Sequence, residues 1–219
     1  MSDHCCTHSC TPQATQNPRY RRALWIALVV NASMFGVEIF GGLQSASTSL
    51  LADAVDFFGD AANYGVSLLV LTMAAIWRSR AALFKGLCMG AFGVFVLGKT
   101  AWSIASGVVP EPVTMGVIGL LALSANLGVA ALLYAFRSGD ANMRSVWLCT
   151  RNDAIGNVAV MLAAAGVFGS GSGWPDWLVA LLMGALALNA SFTVVRQARG
   201  EMAGRTELRH AHSHEGHHH

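Results

Sequence analysis

An apolar stretch between residues 48 and 77 carries three aspartates, and this combination constrains the chain more than any other feature. Asp53, Asp56 and Asp60 lie within TSLLADAVDFFGDAANYGVSLLVLTMAAIW, which is otherwise long and apolar enough to cross a bilayer. An ionised side chain near the centre of a spanning helix costs about 2.5 kcal/mol or more by insertion scales. The three carboxylates therefore require a compensating cation, bound protons or a water-filled path.

The rest of the chain is also typical of a membrane protein. Hydrophobic residues make up 54% of the sequence and charged residues only 12%, compared with roughly 25% charged residues in soluble domains. Long apolar segments, separated by short polar or Gly/Pro-rich connections, cover residues 22–43, 48–77, 83–107, 112–136, 146–168 and 174–196. We predict an all-α integral membrane protein with six transmembrane helices in a domain at 22–196 and no soluble domain.

Basic residues predict the orientation of these helices. The first, third and fifth connections carry no Lys or Arg. Basic residues instead precede the first segment, follow the sixth and occupy the second and fourth connections. Lys85 is counted in the second connection. The positive-inside rule then places both termini in the cytoplasm. The flanking segments 1–21 and 197–219 become cytoplasmic tails, the first rich in Cys and His and the second rich in His.

Two predicted helices present pairs of metal-ligating side chains. Asp53, Asp56 and Asp60 share one face of the second helix, and Asp56 and Asp60 lie one turn apart. Cys149 and Asp153 have the same i, i+4 spacing on the fifth helix. Counting about 1.5 Å per residue from the helix ends places both pairs at a similar depth. The four side chains can therefore converge.

Carboxylate oxygens and a thiolate sulfur suit a tetrahedral Zn²⁺ ion and also accept Cd²⁺ or other transition metals. Mg²⁺ and Ca²⁺ are disfavoured by the sulfur and by the low ligand number. A site closed by four protein ligands leaves no position for a reacting water, which argues against an enzyme. We expect no resident cofactor and no nucleic-acid partner.

Other polar residues within the spans are candidates for a cavity or an entrance. Asn31 and Glu38 share a face of the first helix, where they either line a cavity or form hydrogen bonds between helices. Asp53 either takes part in ion passage or pairs near the outer surface. Asn152 and Asn157 accompany the ligand pair on the fifth helix.

The tails and two further features of the spans have less specific interpretations. Several thiols and imidazoles of the two tails are interpreted as groups that capture metal near the cytoplasmic mouth, and this interpretation is favoured over an incidental occurrence of these residues. They are His4, Cys5, Cys6, His8, Cys10, His210, His212 and His214. Lys99 is interpreted as a cation that reaches toward the interface or pairs with an acid. Gly86 and Gly90 form a GxxxG pair, for which close helix packing is favoured over a dimer seam.

Taken together, these residues resemble the cation diffusion facilitator family of metal/proton antiporters. The similarity runs from Asn31 and Glu38 through the segment 47–60 (SxxLLADAxDxxxD) to the DAIGN segment at 153–157. In that family, paired ligands on helices 2 and 5 form the transport site, and the matching residues here are Asp56, Asp60, Cys149 and Asp153. Cys149 departs from the His or Asp that the family usually has. The short C-terminal segment resembles the subclass that lacks a cytoplasmic metal-binding domain.

The resemblance implies export of a divalent metal ion, Zn²⁺ first and Cd²⁺ or other metals as further substrates, from the cytoplasm in exchange for protons by alternating access. The partners would be metal ions, protons and the bilayer, with a homodimer left open, and the location would be a bacterial inner membrane. Two alternatives remain: a proton or cation channel, and a membrane metal sensor or scaffold. Neither alternative requires paired ligands on two helices.

Overall fold

A computed structural model describes residues 18–69, 75–136 and 141–215, with side-chain environments for residues 18–69, 79–136 and 153–203. Within these residues the chain folds into helices alone, which confirms the predicted all-α class. The six helices, in chain order, are α1 Pro18–Gln44, α2 Thr48–Leu69, α3 Ala75–Ser106, α4 Pro112–Tyr134, α5 Ala141–Ser170 and α6 Trp174–Glu215.

Two predicted boundaries were wrong. Residues 75–77 were assigned to the second predicted span but belong to α3, so the second span was too long and the third began too late. Residues 66–77 contain no Gly, Pro or charged residue, and uninterrupted hydropathy does not mark where a helix ends. α6 continues to Glu215, so much of the predicted C-terminal tail is helical.

The helices have the surface of a multi-pass membrane protein. Among the described residues, five segments are long and apolar enough to cross a membrane: Pro18–Gln44, Ser79–Ser106, Pro112–Tyr134, Asp153–Ser170 and Trp174–Ala203. Large apolar side chains on these helices point outward, and Phe84, Phe168 and Phe192 are each more than 65% exposed. α2 is the helix that carries the aspartates, and it packs against α1, α3, α5 and α6. The helix with the three aspartates is therefore enclosed by four of the other five helices.

Helix pairs α1/α2, α3/α6 and α4/α5 form the most extensive contacts. Three apolar clusters join these pairs. One, around Tyr20 and Tyr64, links α1, α2 and α4. A second, around Val55 and Met89, links α2, α3 and α6, and a third around Val160 links α2, α4 and α5. Because α2 contributes to all three clusters, its acidic face is held in a fixed place within the bundle.

Glycines on α3 allow α6 to approach closely. A Cβ atom added at Gly86 would lie 2.9 Å from Val195 Cγ2, and one added at Gly90 would lie 2.6 Å from Ser191 Oγ. The Ser191 hydroxyl donates to the backbone oxygen of Gly86 over 2.7 Å. Close packing of Gly86 and Gly90 within the bundle is thereby confirmed, and both glycines contact the chain's own sixth helix.

Asp176, in the first turn of α6, fixes the N-terminal end of α2. Its carboxylate accepts hydrogen bonds from the Ser47 hydroxyl (2.7 Å), the Thr48 backbone N–H and hydroxyl (both 2.8 Å) and the Ser49 backbone N–H (3.0 Å). The next N–H, of Leu50, donates to the Ser47 hydroxyl over 3.2 Å. The first N–H groups of a helix have no partner within the helix. A side chain of a distant helix therefore supplies the cap that starts α2.

Candidate metal transport site

Asp60 on α2 and Asp153 on α5 meet inside the bundle. The Asp60 carboxylate is 7% exposed, and its side chain interacts directly with that of Asp153. Asp60 lies 12 residues from the N-terminal end of α2, about 18 Å along the axis, so the two acids meet well inside the bundle. Two acids from different helices at one depth form a site that favours cations or bound protons.

Two neighbours of Asp60 were not identified as site residues from the sequence. The Tyr64 hydroxyl, one turn along α2, donates to Asp60 Oδ2 over 3.0 Å. The Lys85 ammonium group on α3 interacts electrostatically with Asp60 and donates to Asn63 Oδ1. Lys85 was counted as a residue of the second connection, and this placement was wrong. The residue lies within α3 with 8% of its side chain exposed.

Glu38 on α1 and Asp53 on α2 form a second pair of buried acids. Glu38 is completely buried and Asp53 is 1% exposed. Their carboxyl groups are electrostatic neighbours, and Asp56 also acts on Glu38. Within the described residues, neither Glu38 oxygen has a hydrogen-bond partner. The acids of α2 therefore continue from the middle of the bundle toward the N-terminal end of α2, where one acid from α1 joins them.

Two of the predicted cavity residues, Asn31 and Asn157, differ in their contacts. Asn31 donates from Nδ2 to the Ala27 backbone oxygen over 2.8 Å, a bond within its own helix. Asn157 is completely buried, and neither of its polar side-chain atoms has a hydrogen-bond partner among the described residues. The preceding residue, Gly156, places the α5 backbone against Asp53, because a Cβ there would lie 3.7 Å from Asp53 Oδ1. α5 thus adjoins both acidic pairs.

Several predicted ligands lie outside the residues that the structure describes in full. The α5 backbone includes Cys149 and Asn152, and the α6 backbone includes His210, His212 and His214, but the side chains of these residues are outside the described set. The tail residues His4, Cys5, Cys6, His8 and Cys10 lie outside it altogether. Among the side chains that are described, no three His, Cys, Asp or Glu converge as a metal site. Asp56 is half-buried, one turn from Asp60.

Comparison with known proteins identifies the family. Residues 24–202 match the cation efflux transmembrane domain. The chain belongs to the cation efflux family. This match includes every described helix that contributes to the site, with α2 and α5 in their entirety.

Relatives within the cation efflux family are named for metals. The metal cation efflux system protein CzcD of Cupriavidus metallidurans is 24% identical over 189 residues, covering 81% of this chain and 60% of the relative. A cadmium, cobalt and zinc/H(+)-K(+) antiporter of Bacillus subtilis is 24% identical over 196 residues, with coverage of 81% and 62%. The zinc transporter ZitB of Escherichia coli is 24% identical over 209 residues, with coverage of 90% and 67%. The chain thus spans about three fifths to two thirds of these relatives.

Proposed function

We propose that the chain exports a divalent metal ion from the cytoplasm in exchange for protons, with Zn²⁺ as the expected substrate and Cd²⁺ or other transition metals as further ones. The observation that carries this proposal is the meeting of Asp60, which is buried, with Asp153, which is half-buried, on two helices that run in opposite directions. Membership of the cation efflux family and relatives named for zinc, cadmium and cobalt support it.

The proposed metal ligands are Asp56, Asp60, Cys149 and Asp153. Each of the contacting aspartates has its second ligand four residues earlier on the same helix, about 6 Å along the axis. Three carboxylates and one thiolate give a charge and a ligand number suited to Zn²⁺. The sulfur of Cys149, if it coordinates, favours Zn²⁺ and Cd²⁺ over the harder Mn²⁺.

Exchange for protons follows from the burial of these acids. A carboxylate in a low-dielectric site is stabilised by a bound proton or by a metal ion, and metal ligands must be deprotonated before they coordinate. Metal and protons therefore compete for the same groups. If the bundle opens alternately to the two sides, metal carried outward leaves the site free to return with protons.

Glu38 and Asp53 are proposed to line the outward path. Asp53 lies five residues from the outer end of α2, about 8 Å, and Glu38 lies six residues from the end of α1, about 9 Å. Both are therefore nearer the outer surface than Asp60. An acid pair at this depth provides a second position that attracts a cation after it leaves the transport site. Asn157, buried one turn beyond Asp153, is the proposed polar wall between the two positions.

The proposal is tested by metal-driven proton flux in proteoliposomes that contain the full chain. Zn²⁺, Cd²⁺, Co²⁺ and Mn²⁺ are compared for the wild type, Asp60→Asn and Cys149→Ala. Asp60→Asn removes one charge at nearly constant volume, and we expect metal transport and proton flux to fall together by at least about 100-fold. Cys149→Ala is expected to change the order of preference among the metals. Glu201→Gln, an exposed acid on the same side as the termini, is the control.

Three other outcomes of this assay would contradict or change the proposal. Unchanged exchange in Asp60→Asn would contradict the proposed site. Metal passage without proton movement, at a rate that does not saturate with metal concentration, would indicate a channel. An unchanged metal preference in Cys149→Ala would remove the sulfur from the ligand set while leaving the carboxylates in place.

A further inference from the structure

We propose that Lys85 is an internal counter-ion of the transport site, which competes with the metal for Asp60 and so keeps metal binding weak enough for release. The inference rests on the proposed function, because it assigns a role to a residue beside the proposed ligands. Three observations support it: the position of Lys85 in the bundle, the contacts of its ammonium group and the negative charge of the proposed site.

Lys85 lies at the same depth as Asp60. It is ten residues after the first residue of α3, about 15 Å along the axis, and its ammonium group contacts Asn63, which lies three residues, about 5 Å, from Asp60 along α2. α2 and α3 are consecutive helices that run in opposite directions and pack against each other. The ammonium group is therefore well inside the bundle, and only 8% of the Lys85 side chain is exposed.

The Lys85 ammonium group is held toward the acidic face of α2. It donates to Asn63 Oδ1, and Asn63 follows Asp60 by three residues, so both side chains belong to one face of α2. Asp60 is within electrostatic reach of the ammonium group. Asn63 is neutral and cannot balance a charge. Asp60 therefore supplies a counter-charge for the ammonium group, and the bond to Asn63 holds that group toward α2.

The ordinary explanation for an intramembrane lysine does not fit Lys85. A lysine near a helix end normally extends its ammonium group toward the headgroups while its apolar stem stays in the membrane. Lys85 instead directs its ammonium group to α2, at the depth of Asp60. Lys99 is the other lysine of the chain, lies on the same helix and is half-buried. It therefore provides an internal reference.

A fixed positive charge beside Asp60 has a predictable effect on metal binding. Nearby charges change the proton affinity of a carboxyl group by about 10-fold to 1,000-fold, and a divalent ion is subject to the same forces in proportion to its larger charge. Lys85 must move aside or be repelled when the metal binds to Asp60. Because a transported ion has to leave its site, such opposition favours turnover at the expense of affinity.

The test compares Lys85→Gln, Lys85→Arg and Lys99→Gln in the full-length protein in detergent. Zn²⁺ and Cd²⁺ dissociation constants are measured by competition with a fluorescent chelator, and transport rates are measured in proteoliposomes. Lys85→Gln is expected to bind metal at least about tenfold more tightly and to transport it more slowly. Lys85→Arg retains the charge, so its affinity should remain within about threefold of the wild type. Lys99→Gln should match the wild type in both assays.

An affinity of Lys85→Gln equal to or weaker than that of the wild type would overturn the inference, because a residue that only stabilises the fold cannot tighten binding when it is removed. Asp60→Asn in the same assay separates the two proposals. If the wild type binds metal and Asp60→Asn does not, the transport site stands whatever Lys85→Gln shows. If the wild type binds neither ion, the proposed function itself fails.

A measurement on the wild type avoids any dependence on the folding of variants. The lysine amines are methylated reductively with and without Cd²⁺, and mass spectrometry compares Lys85 with Lys99. Metal binding at Asp60 should release the ammonium group of Lys85 and increase its labelling severalfold relative to Lys99. A labelling ratio that does not change with Cd²⁺ would contradict the competition between lysine and metal.

Discussion

Replacing Asp176 by alanine removes the contact that joins the start of α6 to the start of α2. The Asp176 carboxylate is completely buried and accepts hydrogen bonds from Ser47, Thr48 and Ser49. Without it, the hydroxyl groups can rotate to other acceptors. The backbone N–H groups of Thr48 and Ser49 cannot, because they stand at the first turn of α2, where no carbonyl of the helix is available.

The size of the effect follows from these two N–H groups. A buried donor left without a partner costs about 1–3 kcal/mol, so the pair costs about 4 kcal/mol. For a chain of 150–250 residues, each kcal/mol lowers the melting temperature by about 2–4 °C. We therefore expect Asp176→Ala to unfold about 10 °C below the wild type. Asp176→Asn should show about half this shift, because each carboxylate oxygen serves one of the N–H groups and the amide retains only one oxygen.

Glu111→Ala is the matched control, and thermal unfolding followed by tryptophan fluorescence in detergent is the assay. Glu111 also caps a helix by accepting from two backbone N–H groups, of Val113 at 3.0 Å and Thr114 at 2.6 Å. Its side chain is exposed, so water replaces the lost acceptor and the shift should be much smaller. A melting temperature of Asp176→Ala within about 2 °C of the wild type would refute the reasoning, as would equal shifts in the two alanine variants.

Two further predictions concern the α3/α6 contact and the cap of α4. Gly90→Val should destabilise the bundle by about 1–3 kcal/mol, because its Cβ would lie 2.6 Å from Ser191 Oγ. Gly98→Val on the same helix has nothing within 4 Å of the added Cβ, and a comparable loss of thermal stability there would show that packing is not the cause. Hydrogen bonds from Thr114 and Val113 hold the pKa of Glu111 below its usual value of 4.5, so the stability it contributes is present above pH 4.5 and is lost as pH falls through the lower, folded value. Thermal unfolding between pH 6 and pH 3 should therefore show less acid sensitivity in Glu111→Gln than in the wild type, and identical pH profiles would contradict this.

The part of the proposed transport site that sequence reasoning predicted best consists of residues that the period of a single helix brings together. Asp56 and Asp60 share a face of α2 because helical spacing requires it, and counting residues from helix ends placed Asp60 and Asp153 at one depth. The structure shows that these two acids meet. The participation of Cys149 stays a prediction, because its side chain lies outside the described residues.

Contacts between helices were less accessible to sequence reasoning. The Tyr64 hydroxyl lies one turn from Asp60, so its bond to that carboxylate could have been found from the i, i+4 spacing. Lys85 could not be placed in the same way. Its charge, two residues after the predicted boundary at 83, favoured the connection, and the earlier start of α3 at Ala75 places it ten residues into the helix.

The sequence by itself determined the helical class, the membrane location and the acidic face of α2, because these depend on hydropathy and on the 3.6-residue period of a single helix. The tertiary structure decided which side chains lie next to the acidic face of α2 and which side chain caps its first turn. Lys85 lies beside Asp60, Glu38 lies beside Asp53, and Asp176 accepts from the first N–H groups of α2. These pairings join residues of different helices. They depend on how the helices are rotated and shifted against each other, and packing across the whole bundle fixes that arrangement.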